Sequence, residues 1–294
     1  MHTTRYLDFD CVVLENAHLQ LLVTRSVGPR IIGLNVPGRP NLLAGLPNAT
    51  VTRPDGQVYH FYGGHRLWHA PEQMPRTYYP DDAPVEITPD QHGVLVTQPI
   101  ELPSGLRKSL HIALSPDSPR LAVTHQLTNL GQWPIECAPW AITQFRTGGI
   151  AILPLSAQDS GLLPSRRLAL WPYTDMSCPQ AHWGRDFIWL ESPMTASFKI
   201  GFSNPRGWLA YWLDDCLFVK FANYQPNDPY YDFGSSSECY CNDTFLELET
   251  LSPICQIQPG ATVAHVETWQ LFQDIAAPRT EADIKDLVAQ LGLE

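Results

Sequence analysis

Phe245-Leu-Glu-Leu-Glu-Thr-Leu-Ser-Pro-Ile-Cys-Gln-Ile-Gln-Pro-Gly-Ala-Thr-Val-Ala-His-Val-Glu-Thr-Trp269 is the stretch whose reading decides the fold. It reads as two strands around a Pro259-Gly260 turn, because β-prone residues flank a dipeptide that interrupts a strand. Side chains alternate across a strand. Leu246, Leu248 and Thr250 therefore share one face, and Phe245, Glu247, Glu249 and Leu251 share the other. Two acids between Phe and Leu on one face are unlike a plain solvated face. Each is either a paired structural acid or a site residue. As a site residue it is a general base, held in a partly apolar cleft that lifts its pKa towards neutrality.

The same pattern extends outwards. Residues 11–15, 18–24 and 30–36 are short β-branched or alternating runs broken by Asn-Ala and Gly-Pro, a meander of strands. Further strands follow at hairpin spacing over residues 85–129, where Leu106, Leu110, Ile112 and Leu114 alternate with polar residues. Proline is spread through the chain at 27 residues, which suits many turns and opposes a mainly helical fold. One helix is expected, at the end. Thr280-Glu-Ala-Asp283 resembles a capping box, and Ile284, Leu287, Val288 and Leu291 fall at helical spacing. The expected class is all-β, with residues 1–272 as one β domain and residues 273–294 as a helical tail on the outside of the sheets.

Composition bounds the function. The 294 residues carry a net charge of −11, and no basic cluster could neutralise several phosphates in a row. Nucleic acid and anionic membranes are thus not expected partners. The seven cysteines are odd in number and lack a C-x-x-C, against a disulfide framework or structural zinc. The N-terminal residues show no apolar signal segment, and no run approaches membrane-spanning length. A cytoplasmic protein, monomeric or homodimeric, is expected. No phosphate-cradling Gly-rich loop or nucleophile elbow appears in a matching context, and no cofactor is expected.

Two other groups of residues draw notice. The segment 59–72 is dense in aromatics and histidines around Gly63-Gly64, glycines that permit positive φ and close approach of backbone to a ligand. His60, His65 and His69 with Glu72 match no metal-binding signature, so no metal is expected. A His hydrogen-bonding a polar ligand beside Arg66 fits better. The aromatics next to Gly, Pro and acids, among them Trp68, Tyr78, Trp140 and Tyr231, can line a groove, since flat rings stack on sugar C–H faces. Asp232 stands in a polar, aromatic loop and is a further candidate ligand.

Gly63-Gly-His-Arg-Leu-Trp68, the paired segments Leu127-Thr-Asn129 and Pro139-Trp-Ala-Ile-Thr-Gln144, and Leu246-Glu-Leu-Glu-Thr-Leu251 with Gln258-Pro-Gly260 and Glu267-Thr-Trp269 occur in this order. Together they resemble galactose mutarotase-like (aldose 1-epimerase-like) proteins of a bacterial branch. The resemblance implies a β-supersandwich of large antiparallel sheets with a sugar groove on a concave face. It implies Glu249 as the base that takes the anomeric hydroxyl proton, and a His acid that protonates the ring oxygen. Residues 136–144, where family members often carry that His, have none, so His65 takes the role. Arg66, Trp68, Trp140, Asp232 and Glu247 are the implied substrate ligands, for a small or oligomeric sugar. The alternative is a non-catalytic sugar-binding protein on the same scaffold. Glycosidase-type chemistry ranks last, because two acids on one strand face stand ~7 Å apart and point in parallel, whereas glycosidase acids straddle the bond.

Overall fold

The computed structural model describes residues 1–293. Two large antiparallel sheets carry most of the chain, an 11-stranded and a 10-stranded one. The first runs in space through Arg30–Asn35, His65–Ala70, Ile135–Arg146, Phe245–Leu251, Ser237–Cys241 and Phe198–Phe202, with Leu168–Leu170 at one edge and His2–Tyr6 at the other. The second has Trp208–Leu213, Cys216–Ala222, Thr262–Gln273, Arg120–Asn129 and Leu106–Leu114 at its centre. A separate hairpin pairs Gly45–Thr52 with Val58–Gly63.

The core is the space between the two sheets. Leu21, Ile31, Leu67, Phe145, Leu246 and Leu248 of the first sheet enter the same apolar cluster as Leu110, Val123, Leu209, Phe218 and Trp269 of the second. Alternation along Phe245–Leu251 is as the sequence indicates: Leu246 and Leu248 turn into this core, and the two acids turn away from it. All seven residues are nevertheless buried, because the other face is covered too.

The Pro259-Gly260 turn has a different consequence from a simple hairpin. After Leu251 the chain forms the short strand Cys255–Ile257 against Ile135, Glu136 and Cys137 of the first sheet. Gly260 then takes φ +80°, Ala261 N–H donates to Gln258 O at 2.9 Å, and Thr262–Gln273 continues in the second sheet. The turn thus carries the chain from one sheet to the other.

Gly63 and Gly64 both have positive φ, +91° and +72°. A Cβ would stand 2.0 Å from Ala44 O at Gly63, and 2.3 Å from Ile31 O at Gly64. The close approach that requires glycine is therefore to neighbouring backbone, not to a ligand as the sequence reading held. It lets the hairpin strand run directly into His65–Ala70.

The helix Glu281–Leu291 begins with Thr280 and Asp283 in a reciprocal capping box and ends at Gly292 in the left-handed region. Ile284, Leu287 and Val288 pack with Phe187, Trp208, Ala210 and Val219, on the face of the second sheet opposite the core.

Candidate functional site

Five adjacent strands of the first sheet turn one face away from the core, and alternation decides which side chains stand there. Arg66 and Trp68 come from His65–Ala70, and Trp140, Ile142 and Gln144 from Ile135–Arg146. Glu247 and Glu249 come from Phe245–Leu251, Glu238 and Tyr240 from Ser237–Cys241, and Lys199 from Phe198–Phe202. The register aligns them in rows: Ile142 lies between Arg66 and Glu249, and Glu249 is opposite Glu238. Glu247 is opposite Gln144 and Tyr240, and Tyr240 is opposite Lys199. Phe61 of the hairpin, Glu72 and Tyr78 of the following loop, and Tyr173 form further walls of a cleft of about 220 Å³ above this face.

The two acids of the acid strand differ in what they face. Glu247 lines the cleft. Its Oε1 accepts from Gln144 Nε2 at 2.9 Å and Arg66 Nη2 at 3.2 Å, and among the described residues nothing donates to its Oε2. Burial pushes its pKa up to about 7 against the opposing pull of Arg66. Glu249 is fully buried. Its Oε2 accepts from Trp140 Nε1 at 2.8 Å and Lys199 Nζ at 3.0 Å.

Arg66 is held on its faces by Trp68, 4.4 Å from the ring centre, and by Phe61 at 5.7 Å. Its Nε and Nη1 are buried without a partner among the described residues. Lys199 Nζ stands 2.7 Å from Glu238 Oε2 and 4.7 Å over both the Trp140 and Trp171 rings. Burial alone would depress its pKa, but the acids packed around it overcome this and keep the ammonium charged.

The remaining sequence candidates lie elsewhere. His65 precedes Arg66 on the same strand and so points to the opposite face, into the core between the sheets. There it is fully buried. Its Nδ1 lies 2.9 Å from Thr143 Oγ1 and its Nε2 lies 2.7 Å from His125 Nε2. The cleft-facing acid that the resemblance assigned to it is therefore corrected: a side chain on the core face does not reach a ligand on the other. Asp232 sits in a left-handed turn, φ +50°, outside the cleft wall, where its charge adds to the field at Glu238. Among the described residues no histidine lines the cleft. His60 stacks on Tyr62 in the hairpin, and His69 is buried on the core face.

Around His65 the core holds a polar network whose protons can be placed. His125 Nδ1–H donates to His265 O at 2.9 Å, so in the neutral ring its Nε2 accepts from His65 Nε2–H. Thr143 donates to His65 Nδ1 and accepts from Lys220 Nζ at 3.0 Å. Glu267 Oε1 pairs with Lys220 at 2.7 Å and accepts from Thr250 at 2.5 Å, and its Oε2 accepts from Trp269 Nε1 at 2.8 Å. His65, His125 and Glu267 offer donor atoms within 4.8 Å of one another, a grouping a metal could use. Protons and the Lys220 ammonium already engage each of those atoms, and a cation beside that ammonium would be repelled.

This network makes an acid-stability prediction. Burial lowers the pKa of His65, His69 and His125, and lowers His265 to about 3, against about 6.5 when unfolded. Between those values the unfolded chain binds protons that the folded chain does not, so stability is full above pH 6.5 and falls with pH below it. Glu238 and Glu247, raised by burial, act in the opposite sense, but they are two groups against four. The expected urea midpoint at pH 5 is lower than at pH 7.5, each imidazole contributing up to about 2 kcal/mol. An unchanged midpoint would reject the neutral-imidazole network.

No protein-family profile matches the chain, and no curated protein matches it. Solved structures do. A galactose mutarotase-like protein from Lactobacillus casei aligns with TM-score 0.54 and 10% identity, over 89% of this chain and 100% of that one. A protein provisionally assigned as an aldose 1-epimerase, from Klebsiella pneumoniae, aligns with TM-score 0.58 and 12% identity, over 99% and 85%. A galactose mutarotase related enzyme from Lactobacillus acidophilus gives 0.51 and 9%, over 91% and 99%.

The fold is galactose mutarotase-like. At these identities the likeness extends to the fold, and the chemistry of the chain rests on its own cleft. Sequence reading found Arg66, Trp68, Trp140 and Glu247 on that cleft wall. It missed Lys199 and Tyr240 on that wall, and Glu238 and Gln144 buried beneath it. A signal was present for one of them: Lys199 is one of only four lysines and stands between Phe198 and Ile200 inside an apolar strand. No helix of the described residues is long and apolar enough to cross a membrane.

Proposed function

We propose that the cleft binds a single aldose ring and that the protein interconverts its anomers, with Glu247 as general base. The observation that carries this reading is the Glu247 carboxylate: it faces the cleft, keeps one oxygen free, and has its pKa near 7. A general base works best when its pKa lies near the operating pH. Trp68 and Trp140 supply flat surfaces for sugar C–H faces. Arg66, with nitrogens still unpartnered, hydrogen-bonds a hydroxyl or the anomeric oxygen. The volume, below the ~300 Å³ of ordinary ligand pockets, suits one ring rather than an oligosaccharide.

The reaction needs little more. Glu247 takes the proton of the anomeric hydroxyl, the bond between C1 and the ring oxygen breaks, and the ring oxygen takes up a proton. Rotation about the C1–C2 bond and closure on the other carbonyl face give the other anomer. Glu249, assigned the base role by resemblance, is enclosed by Trp140 and Lys199, and the reading moves that role to Glu247.

Saturation-transfer NMR between anomer signals, over a panel of aldoses at pH 7.5, tests the proposal. Enzyme-dependent exchange for at least one aldose is expected. Below pH 7, kcat/KM should fall about tenfold per unit as Glu247 protonates, and level off above. A flat profile from pH 5 to 8 would remove Glu247 as base. The absence of an imidazole at the cleft wall favours a second reading, a sugar-binding protein without catalysis. Saturable sugar binding with no rate enhancement would establish that reading instead.

A further inference from the structure

The anomer-exchange reading leaves one proton without a donor, since ring opening requires an acid at the ring oxygen and no histidine faces the cleft. We infer that Lys199 supplies that proton and that the buried carboxyl of Glu238 replaces it. The inference rests on the anomer-exchange reading and deepens it by naming the acid.

Three observations carry it. First, Lys199 lines the cleft across the sheet from Glu247. The two stand on opposite sides of Tyr240, which is paired with both Glu247 and Lys199. A ring over Tyr240 therefore has a carboxylate on one side and an ammonium on the other, the opposed placement that base and acid require. An ammonium has three N–H groups. Glu249 accepts one of them at 3.0 Å, Glu238 Oε2 stands 2.7 Å from the nitrogen without an aligned hydrogen bond, and no other acceptor among the described residues engages the ammonium.

Second, the charge count leaves a stored proton. Glu238, Glu247 and Glu249 share the face with only two cations, Arg66 and Lys199. Arg66 pairs with Glu247, and Lys199 lies between the other two. Two ionised carboxylates on one buried ammonium, with Asp232 nearby, leave an excess negative charge away from water. Retaining one proton removes that cost.

Third, Glu238 is the acid that holds it. It is fully buried and neither of its oxygens has a well-aligned hydrogen bond, unlike Glu249, whose Oε2 has two. A protonated carboxyl tolerates that setting far better than a carboxylate. Burial raises the Glu238 pKa well above the ordinary carboxylate range, in the same direction.

The proton balance closes. On opening, the anomeric hydroxyl proton moves to Glu247, a Lys199 proton moves to the ring oxygen as the C1–O bond breaks, and the Glu238 proton moves to Lys199. The open-chain complex has Glu247 protonated, Lys199 still an ammonium, and Glu238 ionised beside it. Each transfer reverses on closure, and no external co-reactant is consumed. Lys199 touches the sugar; Glu238 acts through it, as a positioning and proton-holding residue.

Glu238→Gln and Lys199→Met test this in the full-length protein. Three measurements are needed: the anomer exchange rate, its pH profile, and the affinity for a 1,5-anhydrohexitol, a ring that cannot open. Glu238→Gln is expected to lower kcat about tenfold or more and to alter the alkaline limb of the profile, with anhydrohexitol affinity within about threefold of wild type. Lys199→Met is expected to lower kcat by about 10² or more, provided near-UV circular dichroism shows it folded. If it does not fold, Glu238→Gln alone decides. Wild-type exchange with an unchanged rate and profile in Glu238→Gln would overturn the relay while leaving anomer exchange standing. Absence of exchange in the wild type would overturn both.

Discussion

Glu247→Gln should reduce anomer exchange by about 10²- to 10⁴-fold, the range that general acid–base groups contribute, while leaving the fold intact. The substitution is nearly isosteric. The amide oxygen still accepts from Gln144 and Arg66, the two partners of Oε1 in the parent chain. What is lost is the basic oxygen that faces the cleft. Single-turnover or saturation-transfer exchange rates, with a urea midpoint as control, read the effect. Glu249→Gln is the discriminating companion. Its oxygens serve Trp140 and Lys199, so the change should act on those two side chains and spare a basic group in the cleft. If Glu249→Gln abolished exchange and Glu247→Gln preserved it, the base would be Glu249, as the resemblance to mutarotases implies.

The second large effect is on stability. Lys220→Met should destabilise the protein by about 3–5 kcal/mol, the usual consequence of removing one partner of a buried ion pair. Lys220 and Glu267 are both inaccessible to solvent and pair at 2.7 Å. Glu267 depends on that ammonium: burial pushes its carboxyl up, but Lys220 overrides this and holds it well below the usual carboxylate range. Removing the cation leaves a charge in the core, or forces a proton onto it and breaks the bonds from Thr250 and Trp269. Adding Glu267→Gln to Lys220→Met should recover part of the loss, since no bare charge then remains. Urea unfolding at pH 7.5 measures each variant, and a loss under about 1 kcal/mol for Lys220→Met would refute the account.

Legibility in the sequence followed parity. Along residues 245–251 the strand was recognised, and its alternation then placed both acids on one face and Leu246, Leu248 and Thr250 on the other, as observed. Residues 65–70 obey the same rule. In the sequence the glycine pair and the density of rings and histidines read as a ligand loop, which puts His65 and Arg66 in one site. His65–Ala70 is a strand, fully buried from end to end. Adjacent strand residues point to opposite faces, and that alone separates the imidazole from the guanidinium.

Some of the site was beyond parity. Glu247 and Glu249 have the same residue type and the same face, yet one faces the cleft and the other is sealed. The difference comes from what stands beside them: Gln144 and Tyr240 flank Glu247, whereas Trp140 and Lys199 close over Glu249. Except for Tyr240, those neighbours come from strands more than 40 residues away in the chain.

By itself the sequence determined the all-β class, the capped C-terminal helix, the alternation of the acid strand, and a surface carrying aromatics with an Arg and carboxylates. These are local matters, fixed by period-two patterning, turn chemistry and capping within a few residues. Only the tertiary structure decided that the Pro259-Gly260 turn crosses between sheets, that His65 belongs to a buried proton network, and that Lys199 joins the cleft with Glu238 buried beside it. The reason is that burial and charge pairing depend on strand order in the sheet, and strand order is set by the packing of distant segments against one another.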